Sequence, residues 1–396
     1  WFFTLAAIGV LAFAIRNAIA VRRLARHAGM KPLAVAPSGR TVLVTGATGF
    51  VGTALVERLL ARGDRILVLT RDRRQSRPLF GDRVQHVEAL DALPSETSID
   101  SVVNLAGAPV IGLPWTRARR DEIWRSRVDL TDRLIAALAR LRVKPTVLVS
   151  ASAIGIYGDR AESELAEDAP AGQGFGARFC AAWEDAASRA TALGARVVCL
   201  RIGLVFDRQG GALPMMALPA RLGLGAIFGS GRQWMSWITR DDLVRMIVTA
   251  IDDARWSGPV NAVAPEPTRH ADFQRQLART LRRPLFLRVP VRVLKALLGE
   301  MSSVFLFSQR VVPAKAGGLG FAFDVLWAAD ALALQLGPAP KPLPEIARLP
   351  TAPKPVESAP ANTIKEQTDD DHSLWRGALA VRAQSARGAR RKRAGL

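Results

Sequence analysis

Residues 41–61 read TVLVTGATGFVGTALVERLLA. The β-branched apolar run Thr41 to Thr45 predicts a short strand. Gly46, Gly49 and Gly52 follow it, and Phe50, Val51, Leu55, Leu59 and Leu60 then place the apolar face of a helix. In a strand, glycine turn and helix of this kind, backbone can approach a dinucleotide pyrophosphate because glycine has no Cβ. The helix N-terminus adds free N–H groups and the positive end of its dipole. The glycine spacing is weak alone and gains meaning from the strand before it and the helix after it. A turn whose glycines only permit tight packing is the alternative.

Working outward, Gly63-Asp64 closes the helix and Arg65 to Thr70 reads as a second strand. Further strands are expected at 83–88, 101–105, 146–150 and 196–202, with helices at 116–141 and 176–193 between them. This alternation predicts an α/β fold: a Rossmann-like, doubly wound parallel sheet with ligands at the carboxyl ends of its strands, followed by a smaller C-terminal substrate or lid region. The second strand ends in Thr70-Arg71-Asp72-Arg73-Arg74. An arginine there suits the 2′-phosphate of NADP(H), whereas an acid would hydrogen-bond the ribose hydroxyls of NAD(H). Arg71 favours NADP(H), and Asp72 keeps NAD(H) open.

The chain has 396 residues, 49% of them hydrophobic, which excludes a disordered tail, a disulfide miniprotein or a collagen-like fibre. Its formal charge of +20 would suit a polyanion or an anionic surface. Much of the excess lies in the two ends, however, and no specific nucleic-acid partner is expected from the core; binding through the basic ends would be steeply salt-dependent. Two cysteines and four scattered histidines give neither a disulfide framework nor metal-ligand spacing, so a reducing compartment and no metal are expected.

Residues 1–40 open on Trp1 rather than Met, as expected of a fragment or a processed product. They are apolar to Ile15, with Arg16, Arg22, Arg23 and Arg26 behind. Two readings stand: a truncated anchor holding a cytoplasmic domain at the inner membrane, or a helix packed on a domain. Residues 336–396 are expected to be a Pro/Ala-rich linker and a disordered basic tail. Between the ends, 41–250 is expected to be the nucleotide-binding domain, with part of a lid at 203–240, and 251–335 a C-terminal domain.

TGATGFVG (45–52), NLAG (104–107) and SASAIGIYG (150–158) together resemble an extended short-chain dehydrogenase/reductase. The later runs LRIGLVFDRQGGAL (200–213), GSGRQWMSWITRDDL (229–243), GPVNAVAPEP (258–267) and LRRP (281–284) are similar to an epimerase-family subgroup that ends in a short domain of unassigned role. The resemblance implies that Gly46, Thr48, Gly49, Phe50 and Val51 line the pyrophosphate and Arg71 the 2′-phosphate. It places Leu105, Ala106 and Gly107 on the adenine-ribose side. Ser152 matches the active-site serine, to bond a substrate carbonyl or hydroxyl; a strand-end hydroxyl bonding its own backbone is the other reading.

The chain departs from that family where proton transfer is concerned. Ordinary members pair a Tyr acid/base with a Lys four residues on, which lowers its pKa. Here the only Tyr is Tyr157, Ala161 stands four residues on, and no Lys occurs between Lys144 and Lys295. Tyr157, alone or with Ser152, is the candidate substitute, and an aromatic wall is its alternative. Cys180 reads first as a small buried hydrophobe, and Glu184 as a structural hydrogen-bond partner or helix-surface residue. Arg127 stands where many members have Asn, to shape the cleft, bind an anionic group or pair with a nearby acid. In the lid, Arg232, Gln233 and Trp237 suit a polar or glycosyl ligand, with core packing the alternative for Trp237. Asp241 and Asp242 open a helix, where carboxylates cap. Two functions follow: an NADP(H)-dependent oxidoreductase or epimerase on a small polar or sugar-nucleotide-like substrate, or a non-catalytic NADP(H)-binding sensor or scaffold at the membrane.

Overall fold

The computed structural model describes residues 38–337 except Leu113; the expected N-terminal anchor and basic tail lie outside the described residues. The central sheet comprises β1 (Thr41–Thr45), β2 (Arg65–Leu69), β3 (Gln85–Val87), β4 (Ser101–Asn104), β5 (Val147–Ala153), β6 (Arg196–Ile202) and β7 (Gly258–Ala262). All neighbours pair in parallel, in the order β7-β6-β5-β4-β1-β2-β3. The strand order reverses between β1 and β4, which opens a crevice at their carboxyl ends.

The strands are apolar on both faces because helices cover both. Val42 and Val44 of β1 join a cluster with Leu55 and Leu59 of α1 (Phe50–Ala61) and Val244 and Ile247 of α7 (Arg240–Asp252). Leu43, one residue out of phase, joins Leu134 and Leu138 of α4 (Leu130–Arg140) and Ala187 of α5 (Phe175–Ser188). Period-two alternation thus feeds two cores from one strand. Burial of such side chains, about 1.5–3 kcal/mol each, dominates the stability.

The sheet runs on to Ala262, so the domain boundary expected at 250 falls inside it: β7 pairs with β6 from Gly258 to Ala262. The sequence around β7 is short and holds a proline and an asparagine, which hides its strand character. A separate core joins Phe206, Leu213, Trp237 and Phe273 with Leu332 of α10 (Ala328–Leu336). It takes in α6 (Ala212–Arg221) and α8 (His270–Leu281). Thr239 caps α7 by accepting the Asp242 N–H at 3.1 Å and donating its hydroxyl to the Asp242 carboxylate, also at 3.1 Å. The cap is therefore Thr239 rather than the expected carboxylates: Asp242 is fully buried and accepts the backbone N–H of Asp324, which ties the C-terminal segment to the sheet domain. No helix among the described residues is long and apolar enough to cross a membrane.

Candidate functional site

At the carboxyl end of β1 the turn folds as its glycines require. Gly46 has φ +69°, and a Cβ there would lie 2.7 Å from the Leu105 carbonyl carbon and 2.8 Å from the Ala106 nitrogen. A Cβ on Gly52 would lie 2.2 Å from the Gly46 oxygen. These two glycines therefore serve close packing, while Gly49 and Thr48 face outward. Gly49 caps α1 without a side-chain bond, and no acid occupies the first turn. This helix end therefore offers N–H groups and positive dipole to an anion, with no carboxylate to compete.

Beside it, the Arg240 guanidinium lies 5.1 Å from the Phe50 ring and pairs with Asp207 at 3.1 Å. Its Nε and Nη1 are buried without an acceptor. At the end of β2, Arg71 is exposed and forms no ion pair among the described residues. Asp72 is spent as the cap of α2 (Arg73–Phe80), accepting the Arg74 N–H at 2.8 Å. Arg73 pairs with Glu88 at 3.2 Å on the surface. Leu105, Ala106 and Gly107 leave β4 at the opposite lip, pinned by the Ala106 N–H donating to Thr45 Oγ1 at 3.2 Å. Below them Asn104 accepts from Thr45 Oγ1 and donates to Thr131 and Ser150, a buried network that holds the strand ends.

Ser152, near the end of β5, donates to Glu184 Oε1 at 2.6 Å. Glu184 is held by Arg201 of β6 through two hydrogen bonds of 2.9 Å. Arg201 also donates to the Tyr157 hydroxyl at 2.9 Å, and that hydroxyl donates to Asn261 Oδ1 at 2.6 Å. Tyr157 is wholly buried, and burial raises its pKa. The expectation that Tyr157 handles the substrate proton is thereby set aside: its hydroxyl is committed on both sides within the core. Sequence reading missed Arg201, although an arginine directly after the apolar run VVCL of the strand RVVCLRI demands a buried partner. Glu184 is the hydrogen-bond partner expected of it, here to Ser152 and Arg201.

The helix α5 carries Phe175, Phe179 and Trp183 at successive turns, stacked with centroids 5.9 Å apart at each step. Arg127 stands over Phe179 and Trp183 at 5.7 and 5.3 Å and covers Gly107, where a Cβ would lie 2.4 Å from its Cζ. It projects from a π-helical turn, Arg125–Asp129, between α3 (Arg117–Trp124) and α4. No carboxylate pairs with it among the described residues. Desolvation pulls its pKa down to about 10, which leaves it cationic at neutral pH. Trp183 Nε1 is a buried donor in this corner without an acceptor, whereas Arg127 Nη1 donates to Ser126 Oγ at 3.3 Å. Cys180 is buried, and burial pushes its thiol up to about 12, so it packs as a small apolar group.

In the lid the structure separates the expected ligand residues. Arg232 is exposed. Gln233 is buried, donating to the Phe228 and Phe305 carbonyls at 3.3 and 3.2 Å. Trp237 is fully buried, stacked 5.3 Å from Phe206, with Nε1 donating to the Glu266 carbonyl at 3.0 Å. The ligand roles expected of both are corrected: Trp237 packs in the core around Phe206 and Phe273, and Gln233 ties backbone carbonyls together.

The pattern of the NAD dependent epimerase/dehydratase family matches residues 42–262, and that of a domain of unknown function, DUF1731, matches residues 289–333. The chain belongs to the NAD dependent epimerase/dehydratase family. Among members of this epimerase family, a chloroplastic Arabidopsis thaliana protein named as an SDR39U1 homolog is 38% identical over 81% of this chain and 95% of its own. YfhF of Bacillus subtilis is 36% identical over 71% of this chain and 93% of its own. The crystal structure of human epimerase family protein SDR39U1 with NADPH superposes with a TM-score of 0.68 at 31% identity, covering 75% of this chain and 99% of that one.

Proposed function

We propose that this epimerase-family chain is an NADP(H)-dependent oxidoreductase acting on a small, polar, anionic substrate. The observation that carries the reading is the Ser152–Glu184 hydrogen bond of 2.6 Å at the crevice end of β5, in the same crevice as the glycine turn and the uncapped end of α1. The residues fit that cofactor: the uncapped end of α1 and the orphaned Arg240 donors suit the pyrophosphate, and unpaired Arg71 suits the 2′-phosphate. The NADPH bound by the human relative supports the same cofactor. When bound, NADP(H) supplies or accepts a hydride.

Ser152 bonds the reacting oxygen of the substrate. In the oxidative direction its Oγ takes the substrate hydroxyl proton and passes its own to Glu184; in the reductive direction both transfers reverse. Arg201 holds the Glu184 carboxylate in place for the exchange. Arg127, together with Trp183 Nε1, binds the substrate anion, and Arg232 faces the substrate from the lid. The aromatic ladder of α5 occupies the helix where relatives of the wider superfamily carry their tyrosine and lysine, and it excludes water from this corner.

The test uses the full chain, NADPH deuterated at C4 and a panel of small carbonyl-bearing carboxylates and phosphates, followed by mass spectrometry. Deuterium is expected in one reduced product, and Ser152→Ala is expected to lose it. NADPH binding without transfer to any member of the panel, nor from any alcohol to NADP+, would favour the non-catalytic sensor.

A further inference from the structure

We propose that the face formed by residues 279–298 with Leu222 and Leu224 docks on an anionic lipid bilayer. Residues 279–295 read RTLRRPLFLRVPVRVLK, with six cationic side chains and no acid. None of the six forms an ion pair among the described residues. Arg279, Arg282, Arg283 and Arg288, with Arg275, line a cavity of about 540 Å³ beside Phe286.

The backbone gathers apolar side chains at the same place. Strand Ala226–Phe228 pairs in parallel with Leu287–Val289, so the residues preceding each strand lie side by side. A Cβ on Gly225 would lie 3.6 Å from Leu285 Cδ1, which confirms that proximity. Phe286 is 71% exposed, Leu222 68% and Leu224 58%. The helix α9 (Val291–Leu298) follows directly and buries only Leu294, leaving Val291, Val293 and Leu297 outward beside Arg292 and Lys295.

Exposed aliphatic and aromatic side chains interleaved with unpaired arginines match the two layers of a membrane surface: acyl chains for the former, phosphate headgroups for the latter. The charge complementarity selects anionic lipid, to whose surface potential each such cation contributes. A nucleic acid would use the arginines but leave Leu222 and Leu224 in water.

The test places a polarity-sensitive thiol label on full-length Phe286→Cys, since Cys180 and Cys199 are buried. A blue shift is expected on vesicles of phosphatidylcholine with phosphatidylglycerol, but not on phosphatidylcholine alone. Adding Arg283→Gln and Arg288→Gln is expected to weaken that response about 30-fold. A silent label on chain that sediments with the vesicles overturns the proposal, because another segment would then bind. An equal response to neutral vesicles overturns it, as does a response confined to an oligonucleotide.

Discussion

Arg127 fills the space where a side chain on Gly107 would stand: a Cβ there would lie 2.4 Å from the guanidinium carbon and 2.7 Å from Nε. The atoms met are the far end of a side chain, so Gly107→Ala moves the guanidinium before it moves backbone. With Arg127 as the substrate's anion anchor, Arg127→Leu raises KM about 10- to 100-fold, the scale of a charged hydrogen bond. Gly107→Ala has part of that effect. The melting temperature of Arg127→Leu does not fall, because a desolvated cation with no carboxylate partner has been removed. Steady-state kinetics and a thermal melt check both expectations.

Arg240 tests the pyrophosphate side of the cradle. Its Nε and Nη1 have no acceptor in the protein, and it lies against Phe50 at the start of α1. Arg240→Leu therefore weakens NADPH and NADH alike, about tenfold or more each. A change in one nucleotide alone would place Arg240 elsewhere. Isothermal titration of both cofactors decides it.

Ser152 and Tyr157 should separate cleanly. Ser152→Ala lowers turnover by about 10²–10⁴ while NADPH binding stays. Tyr157→Phe strands Asn261 and Arg201 within the core and costs about 1–3 kcal/mol of stability. Its kcat stays within a few-fold of the parent. Turnover and urea melts of the two variants check the split.

His270 gives the fold a pH dependence. It is buried, stacked 4.8 Å from Phe228, with Nδ1 unpartnered, and desolvation lowers its pKa from 6.5 to about 4. The unfolded chain binds this proton below about 6.5 and the folded chain only below about 4, so stability is lost as pH falls through that window. The loss reaches about 3 kcal/mol. The difference in stability between the parent and His270→Phe, measured by denaturant titration from pH 7.5 to 4, isolates this contribution, and the variant's profile is flatter.

How far the site was legible follows from how local each signal is. The glycine turn and its helix are set by neighbours within a dozen residues, and both stand as expected. Asp72 and Arg71 are adjacent, yet only the structure shows that the acid turns to cap α2 and the arginine does not. Tyr157 looked available because its partners lie 44 and 104 residues away, on β6 and β7. Gln233 and Trp237 sit in a glycine-flanked, loop-like run; the core that buries Trp237 is assembled from α6, α8 and α10, and the carbonyl that Gln233 reaches at Phe305 lies 72 residues away. The aromatic ladder at 175, 179 and 183 had helical spacing that could be read, though not the arginine that comes across to it from the π-helical turn.

We propose that the glycine turn and Arg71 hold NADP(H). Titration of the full chain with NADPH and with NADH, followed by tryptophan quenching and repeated on Arg71→Glu, tests it most directly. Saturable NADPH binding, at least about tenfold tighter than NADH and reduced to the NADH level by the substitution, is the predicted result. Equal affinity for the two nucleotides in both proteins, or binding of neither, would contradict it.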